Sequence, residues 1–321
     1  MLKSIKSLGT ISRSEFLLPN LGSLVLGLAW GATSSTSVGE LAVLTILSFT
    51  IINLSSAIGA QANTLSDREL DSKDERKKHL VEAMSSFGAE RLKKVLVIEF
   101  ALALILVFLF MLVQQKPILL VLWMIGISLG LAYSLPPTRL KSRNWFAPIS
   151  LILVLAVFPV LFAYYTFTTE TNPFFLISLT GLSLTVYGVI IPTEIRDYFG
   201  DKAMGIETFT VHLGLVKASI LAMALLTTGA ALTAIAFFLE FTYAQHQVLA
   251  ILLVAIPLAG FVVLKEFKKL YSLSKEYAAS KSDGIEEKIV QLSAQNPRWI
   301  MMITQTYSII SIILLVSKFL L

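Results

Sequence analysis

The sequence has no cysteine and only three histidines, and charged residues make up just 15% of its 321 residues. Without cysteine, the chain can form no disulfide, no thiolate-bound zinc site and no thiol nucleophile. The three histidines lie far apart along the chain, so a histidine-rich metal site is not expected. The low charge also argues against an ordinary water-soluble domain, in which about a quarter of the residues are charged.

The sequence instead contains many long runs of apolar residues. Hydrophobic residues make up 55% of the chain, and the mean hydropathy is +0.77. A helix of about 20 apolar residues, rising about 1.5 Å per residue, crosses a hydrocarbon layer of about 30 Å. The pattern predicts an all-α integral membrane protein that forms one membrane domain over residues 1–321. We expect nine transmembrane helices, at residues 15–32, 41–60, 93–113, 117–134, 146–166, 174–193, 215–238, 247–265 and 299–318.

The basic residues favour one orientation of these spans. Of the 26 Lys and Arg residues, 24 lie in the N-terminal segment or in the loops that follow the even-numbered spans, with their immediate flanks. Only Lys116 and Lys318 lie on the other side. Because positively charged loops stay in the cytoplasm, we expect a cytoplasmic N-terminus in the cell membrane. This retention accounts for the net charge of +5, and no nucleic-acid partner is expected.

Four of the six aspartates form two pairs at i,i+4, where the second and sixth spans reach the cytoplasmic side. The first cluster comprises Asn63, Asp67 and Asp71, and the second cluster comprises Glu194, Asp197 and Asp201. On a continuous helix, each cluster would share one face. Like charges at this spacing destabilise a helix by about 0.2–0.5 kcal/mol. Because the chain has this unfavourable arrangement twice, we expect a bound cation to offset the repulsion.

Oxygen ligands without histidine or cysteine favour Mg²⁺, which binds through one or two carboxylates together with phosphate oxygens. We expect the first cluster to hold one Mg²⁺, and Asp197 and Asp201 to hold a second, with Glu194 as an additional ligand. Two such clusters facing each other would flank one diphosphate, and the four aspartates would then be catalytic. Each cluster taken singly is also compatible with solvated loop acids paired with Arg68, Lys73 or Lys202.

The two clusters resemble the two aspartate-rich motifs of the UbiA-type intramembrane prenyltransferases, and the resemblance covers nearly the whole chain. In the second motif, Lys202, Gly205 and Thr208 follow the last aspartate. Many family members carry aspartate where this chain has Thr64, which removes one possible metal ligand. The fourth-loop segment from Tyr133 to Arg143 is similar to a Tyr-Ser-x-Pro-Pro-x-Arg-Leu-Lys segment of the branch that includes chlorophyll synthases and homogentisate prenyltransferases.

The resemblance implies a ring of helices around a central cavity that opens laterally to the membrane lipid. The prenyl chain would lie in that cavity, and its diphosphate would lie at the cytoplasmic mouth. We therefore predict a Mg²⁺-dependent transfer of a polyprenyl group, of geranylgeranyl class, from its diphosphate to a lipophilic acceptor. The fourth-loop match favours an aromatic quinone precursor or a tetrapyrrole as acceptor, and a prenylglyceryl phosphate stays open.

Basic and aromatic residues near the clusters complete the predicted site. The candidate contacts to the diphosphate are Arg139, Lys141, Arg143, Arg196, Lys202 and Lys73. Arginine grips phosphate oxygens in pairs, whereas lysine acts more as a point charge. The candidate aromatic wall for an allylic cation consists of Tyr133, Tyr187 and Tyr198. Lys73 is equally typical of a positive-inside loop, and the tyrosines are equally typical of membrane-interface anchors.

A membrane transporter with an acidic cation site is the main alternative. Such a protein is expected to carry ionisable residues or broken helices near the middle of the membrane. Here the acids collect at one end of the spans. The sequence therefore favours the prenyltransferase.

Overall fold

The computed structural model describes residues 2–72 and 77–320, and within these ranges it contains helices and no β-strand. The predicted all-α class is therefore confirmed. The α-helices are α1 (Leu2–Ile11), α2 (Leu17–Gly31), α3 (Val38–Ser66), α4 (Arg68–Asp71), α5 (Lys78–Phe87), α6 (Ala89–Gln114), α7 (Pro117–Ser134), α8 (Phe146–Ile152), α9 (Phe158–Phe167), α10 (Pro173–Ala203), α11 (Phe209–Leu213), α12 (Leu215–Tyr243), α13 (Ala255–Ser280), α14 (Asp283–Ser293) and α15 (Asn296–Leu320).

Eight helical segments of the described chain are long and apolar enough to cross a membrane. They are Val38–Ser66, Ala89–Gln114, Pro117–Ser134, Phe146–Phe167, Pro173–Ala203, Leu215–Tyr243, Gln247–Ser280 and Asp283–Phe319. The second to ninth predicted spans each fall within one of these segments. The first coincides with α2, whose 15 residues are fewer than the roughly 20 that a full crossing needs. The count of nine and the orientation stay predictions.

Local sequence signals explain where several helices begin. The side chain of Ser37 accepts a hydrogen bond from a backbone N–H in the first turn of α3. The side chain of Asn172 does the same for α10, and Pro173 occupies the first helical position, where no N–H is needed. Gly88 and Gly214, at φ 91° and φ 77°, supply the left-handed backbone that separates one helix from the next.

The fifth predicted span is not one regular helix. A π-helical turn at Leu153–Val157 separates α8 from α9. Pro159, just after this turn, has no backbone N–H to donate to a carbonyl of the preceding turn, so the regular pattern of i→i−4 hydrogen bonds is interrupted there. Val154, Leu155 and Pro159 all line the large cavity described below. Such π-turns are frequent at functional sites.

Two of the three apolar clusters in the described chain share α2 and α9. One cluster involves α10, α12, α13 and α15, and the other involves α3, α6 and α7. Leu24 and Leu26 of α2 belong to different clusters, as do Phe162 and Tyr164 of α9. The contact between α2 and α9 therefore joins the two halves of the bundle.

The outer surface carries apolar side chains that suit a lipid environment. On α6, Val97 and Val113 are 66% and 76% exposed, as a membrane helix with one lipid-facing side requires. The two lysines that depart from the positive-inside pattern are both held by backbone carbonyls. Lys116 Nζ lies 2.8 Å from the carbonyl of Thr166, and Lys318 Nζ lies 2.9 Å from that of Ala29 near the end of α2.

Glycines allow α10 and α12 to form the most extensive helix contact of the described chain. A Cβ atom at Gly181 of α10 would lie 2.7 Å from the carbonyl oxygen of Gly229 and 2.7 Å from the amide nitrogen of Thr233. Real Cβ atoms do not approach backbone this closely, so the two helices would have to separate. Small residues are the usual means by which membrane helices pack closely.

We expect Gly181→Val to lower the thermal unfolding temperature of the detergent-purified protein strongly, because the added side chain forces α10 and α12 apart. Gly260→Ala in α13 is the control, since a Cβ atom there meets no atom within 4 Å. The comparison is made by thermal unfolding with size-exclusion detection. Equal stability of the two variants would contradict the close packing of α10 on α12.

Candidate active site

A cavity of about 910 Å³ lies within the helical bundle. Its walls come from α3, α7, α8, α9, α10 and α15, and from the chain between Ser12 and Asn20. Both acidic clusters line this cavity. Side chains such as Ile51, Phe158 and Ile303 make most of its remaining wall apolar. One cavity thus combines a charged region with a larger apolar region.

The first cluster lies where α3 ends. Helix α3 stops at Ser66, but the amide of Asp67 still bonds to the carbonyl of Asn63 at 2.9 Å, and the amide of Asp71 bonds to that of Asp67 at 2.8 Å. The chain keeps a nearly helical path, and Asn63, Asp67 and Asp71 all line the cavity. Thr64 is buried, and its hydroxyl donates to the carbonyl of Ala60 at 3.0 Å, within its own helix.

The fourth loop brings two cations to the first cluster. Arg139 Nη2 lies 2.9 Å from Asp67 Oδ1. The Lys141 ammonium donates to Asn63 Oδ1 at 2.9 Å and also to Asp67 Oδ2. Ser134 fixes the Asn63 amide by donating to the same Oδ1 at 3.0 Å. Burial lowers the pKa of Lys141, and the neighbouring Asp67 carboxylate compensates only in part.

Asp71 has its own basic partner. Lys77 Nζ lies 2.8 Å from Asp71 Oδ1, and the Asp71 side chain is almost fully buried. Burial alone would lower the pKa of Lys77, but the hydrogen bond and charge of Asp71 outweigh it, so the pKa of Lys77 is raised. Lys77 also lines the cavity. It was not among the predicted site residues.

The second cluster lies in the last turns of α10, which runs on to Ala203 instead of ending near residue 193. Glu194, Asp197 and Asp201 line the cavity from this one helix. Asp197 Oδ1 accepts from Arg196 Nε at 3.0 Å. One oxygen of Glu194 accepts from the Thr210 hydroxyl, and the other accepts from the Tyr187 hydroxyl at 3.4 Å.

The family of the chain follows from its sequence together with this fold. Residues 20–281 match the model of the UbiA prenyltransferase family. The chain belongs to the UbiA prenyltransferase family. This membership, together with the eight apolar helical segments among the described residues, makes it a multi-pass membrane protein. No curated protein sequence matches it significantly.

Solved structures of UbiA proteins share the fold of this family member. A UbiA homologue from Archaeoglobus fulgidus bound to GPP and Mg²⁺ has a TM-score of 0.63 at 19% identity, covering 93% of this chain and 99% of that one. The homologue from the same organism bound to DMAPP and Mg²⁺ has a TM-score of 0.63 at 18% identity over the same shares. A digeranylgeranylglyceryl phosphate synthase has a TM-score of 0.60 at 15% identity, covering 97% and 99%.

The oxygen donors of this UbiA-family chain suit a hard divalent cation. Asn63 Oδ1 and Asp67 Oδ2 already converge on one cation, the Lys141 ammonium. Within residues 2–72 and 77–320, no three acidic or histidine side chains are grouped tightly enough to hold a metal ion. Mg²⁺ does not need such a cage, because it keeps several waters and takes the rest of its ligands from phosphate oxygens. The donor set therefore fits Mg²⁺ with a bound diphosphate.

The structure brings four of the eight other predicted residues that it describes to the cavity. Tyr133, Arg139, Lys141 and Arg196 line it. The residues outside its lining are Arg143, Lys202, Tyr187 and Tyr198. Arg143 instead donates to the carbonyl of Pro137, and Lys202 lies over the ring of Tyr198. Lys73 lies outside the described residues.

Arg13 is a second cavity-lining cation that the sequence analysis missed. It follows α1, whose Ile11 is fully buried against α5 and α6, and it adopts a left-handed backbone at φ 50°. Ser12 beside it accepts a hydrogen bond from Gln61 Nε2 at 2.9 Å, which ties this segment to α3. In the sequence, Arg13 is indistinguishable from any basic residue that precedes a first span.

We expect Lys141→Met to lower the thermal unfolding temperature of the metal-free protein, because the nearly buried Asp67 loses one of its two cationic partners. In an Asp67→Asn background, Lys141→Met should lower the unfolding temperature less, because the ion pair between these two residues is already absent. Lys269→Met, which breaks the exposed pair with Glu266, should leave the unfolding temperature unchanged. The same shift in both lysine variants would show that Asp67 does not depend on Lys141.

Proposed function

We propose that this UbiA-family protein transfers a polyprenyl group from its diphosphate to a lipophilic acceptor, with Mg²⁺ as cofactor. The observation that carries the proposal is the joint lining of one cavity by both acidic clusters, their basic partners and a large apolar surface. A prenyl diphosphate matches this lining, because its diphosphate head is a polyanion that suits the charged region and its prenyl chain is a hydrocarbon that suits the apolar region. A volume of about 910 Å³ lies near the upper end of the range for small-molecule pockets.

The solved relatives support the same substrate class. The homologue from Archaeoglobus fulgidus was solved with GPP and Mg²⁺ and with DMAPP and Mg²⁺. We assign one Mg²⁺ to Asn63, Asp67 and Asp71, and a second to Asp197 and Asp201. Glu194 is an additional ligand for the second ion, and it would have to exchange one of the hydroxyl groups that donate to its two carboxylate oxygens.

Bound Mg²⁺ would supply Lewis-acid stabilisation of the charge that develops on the departing diphosphate. The basic side chains of the protein would contribute by leaving their carboxylate partners and pairing with the diphosphate. Arg139 and Lys141 now lie against Asp67, and Lys77 lies against Asp71. Once these carboxylates serve a metal ion, the three cations are free to bind the diphosphate oxygens that enter beside them.

The reaction is a substitution at the allylic carbon. The bond between C1 of the prenyl group and the diphosphate oxygen breaks, and the diphosphate leaves with the electron pair. C1 then bonds to the acceptor, which loses a proton, so the products are the prenylated acceptor, diphosphate and H⁺. Among the predicted aromatic residues, Tyr133 lines the cavity, and we assign to it the contact with the allylic cation.

The finer assignments extend this proposal. We place the whole chain in one membrane domain of the cell membrane, with the charged mouth of the cavity on the cytoplasmic side and a lateral opening to lipid. The prenyl group is of geranylgeranyl class. The resemblance of the fourth loop favours an aromatic quinone precursor or a tetrapyrrole over a prenylglyceryl phosphate.

The test is transfer from radiolabelled geranylgeranyl diphosphate by the full chain in detergent. The acceptor panel contains 1,4-dihydroxy-2-naphthoate, 4-hydroxybenzoate, homogentisate, chlorophyllide and geranylgeranylglyceryl phosphate. We expect one acceptor to give a labelled lipid product that requires Mg²⁺. Asp67→Ala and Asp201→Ala should each lower the rate at least about 100-fold, because each removes a metal ligand and several kcal/mol of charge stabilisation.

Asp283→Ala is the matched control, because Asp283 lies at the start of α14, away from the cavity lining. It should transfer at the wild-type rate. A wild-type rate that is indifferent to Mg²⁺, or that survives the loss of Asp67 and Asp201, would refute the proposal. Metal-coupled uptake of an ion into vesicles without any transfer would favour a transporter instead.

A further inference from the structure

The cavity ends at a definite distance from its charged residues. On α3 its deepest lining residue is Ile51, 12 residues before Asn63. On α7 the deepest lining residue is Leu122, 12 residues before Ser134, whose hydroxyl donates to Asn63. Because an α-helix rises about 1.5 Å per residue, both residues lie about 18 Å from the first acidic cluster.

This deep end of the cavity is closed. Both α3 and α10 continue beyond it, but no described residue of α3 before Ile51 and none of α10 before Leu182 lines the cavity. Ile51, Phe162 and Leu182 line the deep end and are only 2%, 3% and 3% exposed. Leu155, which also lines the cavity, is 39% exposed. Neither solvent nor lipid therefore reaches the deep end.

Trp123 of α7 is the largest side chain that lines the deep end. Its indole Nε1 donates to the hydroxyl of Ser55 on α3 at 2.8 Å, and that hydroxyl donates to the carbonyl of Ile51 at 2.7 Å. The other side of the indole packs against Phe100 of α6, with the ring centroids 5.8 Å apart. The indole thus spans from α7 to α3, and it cannot swing aside without losing its hydrogen bond.

The depth of the cavity suits a hydrocarbon chain of one length. A geranylgeranyl group has four isoprene units, and its extended main chain, with C–C bonds of about 1.5 Å, spans roughly 20 Å. It would reach from the acidic clusters to the deep end. A geranyl group, with two units, would end well short of Trp123. A hexaprenyl group, with six units, would need about 10 Å more, which packed side chains occupy.

We infer that Trp123, positioned by Ser55, sets the upper limit on the length of the prenyl chain that the protein transfers. The inference rests on the proposed function and names the residue that selects among prenyl diphosphates at the same site. A hexaprenyl chain would have to displace the indole from Ser55 or leave the cavity sideways between helices. Forcing extra methylene groups into a packed interior is unfavourable, so the indole discriminates against the longer chain.

The test compares kcat/KM for geranyl, geranylgeranyl and hexaprenyl diphosphates. The full chain in detergent transfers each of them, with Mg²⁺, to the acceptor that gives product in the panel above. The wild type should prefer geranylgeranyl over hexaprenyl diphosphate about 10-fold or more. Trp123→Ala should reduce this preference to about 3-fold or less, because space opens toward Phe100.

Trp299→Ala is the matched control for the truncation of a buried tryptophan. Trp299 and Trp123 are each 5% exposed, but Trp299 packs against Phe267 and does not line the cavity. Trp299→Ala should keep the wild-type preference. The kcat/KM for geranyl diphosphate, whose chain ends short of Trp123, should fall no further in Trp123→Ala than in this control.

Ser55→Ala keeps the test valid if Trp123→Ala does not fold. It removes a single oxygen atom and leaves the indole without its hydrogen bond to α3. The preference for geranylgeranyl over hexaprenyl diphosphate should then fall about 2- to 3-fold, because the indole yields more easily to the longer chain.

Two outcomes would overturn the inference while leaving the proposed function intact. One is equal kcat/KM for geranylgeranyl and hexaprenyl diphosphates in the wild type, as a sideways exit of the chain would give. The other is an unchanged preference in both Trp123→Ala and Ser55→Ala.

If the wild type transfers nothing to any acceptor, the proposed function fails, and equilibrium dialysis with the labelled diphosphates tests Trp123 alone. Tighter binding of geranylgeranyl than of hexaprenyl diphosphate, lost in Trp123→Ala and retained in Trp299→Ala, would then support the inference. The same preference in all three proteins, or no binding at all, would refute it.

Discussion

The pairing of opposite charges at one end of an apolar cavity is the constraint on which this structure depends. Charged groups beside hydrocarbon are tolerated only when partners satisfy them. Here the carboxylates lie just after α3, in α4 and in α10, while the fourth loop and Lys77 provide the cations. The close contact of α10 with α12, and the contact of α2 with α9, hold these elements in register. The fold thus brings charged residues from separate segments to one end of the cavity.

The same pairing bears on the proposed reaction. Lysine and arginine side chains neutralise the carboxylates of the first cluster. Under the proposed function, these carboxylates would serve metal ions, and the basic side chains would turn to the diphosphate. Because these side chains are long, the exchange would leave α3, α10 and the fourth loop in place.

The apolar spans and the acidic clusters were predictable, because hydropathy and i,i+4 spacing are properties of neighbouring residues. Contacts between distant segments were not. Lys77 and Arg13 look like ordinary positive-inside residues in the sequence, and only the packing of α1 and α5 brings them near the cavity. Tyr198 directly follows Asp197, so on a helix it points about 100° away and packs outside the cavity. The ring of Tyr187 is buried, and its hydroxyl reaches Glu194 instead of the cavity.

We propose that the two acidic clusters act on one diphosphate through metal ions. Electron paramagnetic resonance with Mn²⁺ in place of Mg²⁺ tests it most directly, using geranylgeranyl thiodiphosphate as a slowly reacting substrate analogue. We expect two spin-coupled Mn²⁺ ions per chain when the analogue is present, and one uncoupled ion at most in Asp67→Asn or Asp201→Asn. Binding of the analogue that neither recruits Mn²⁺ nor depends on these aspartates would contradict it.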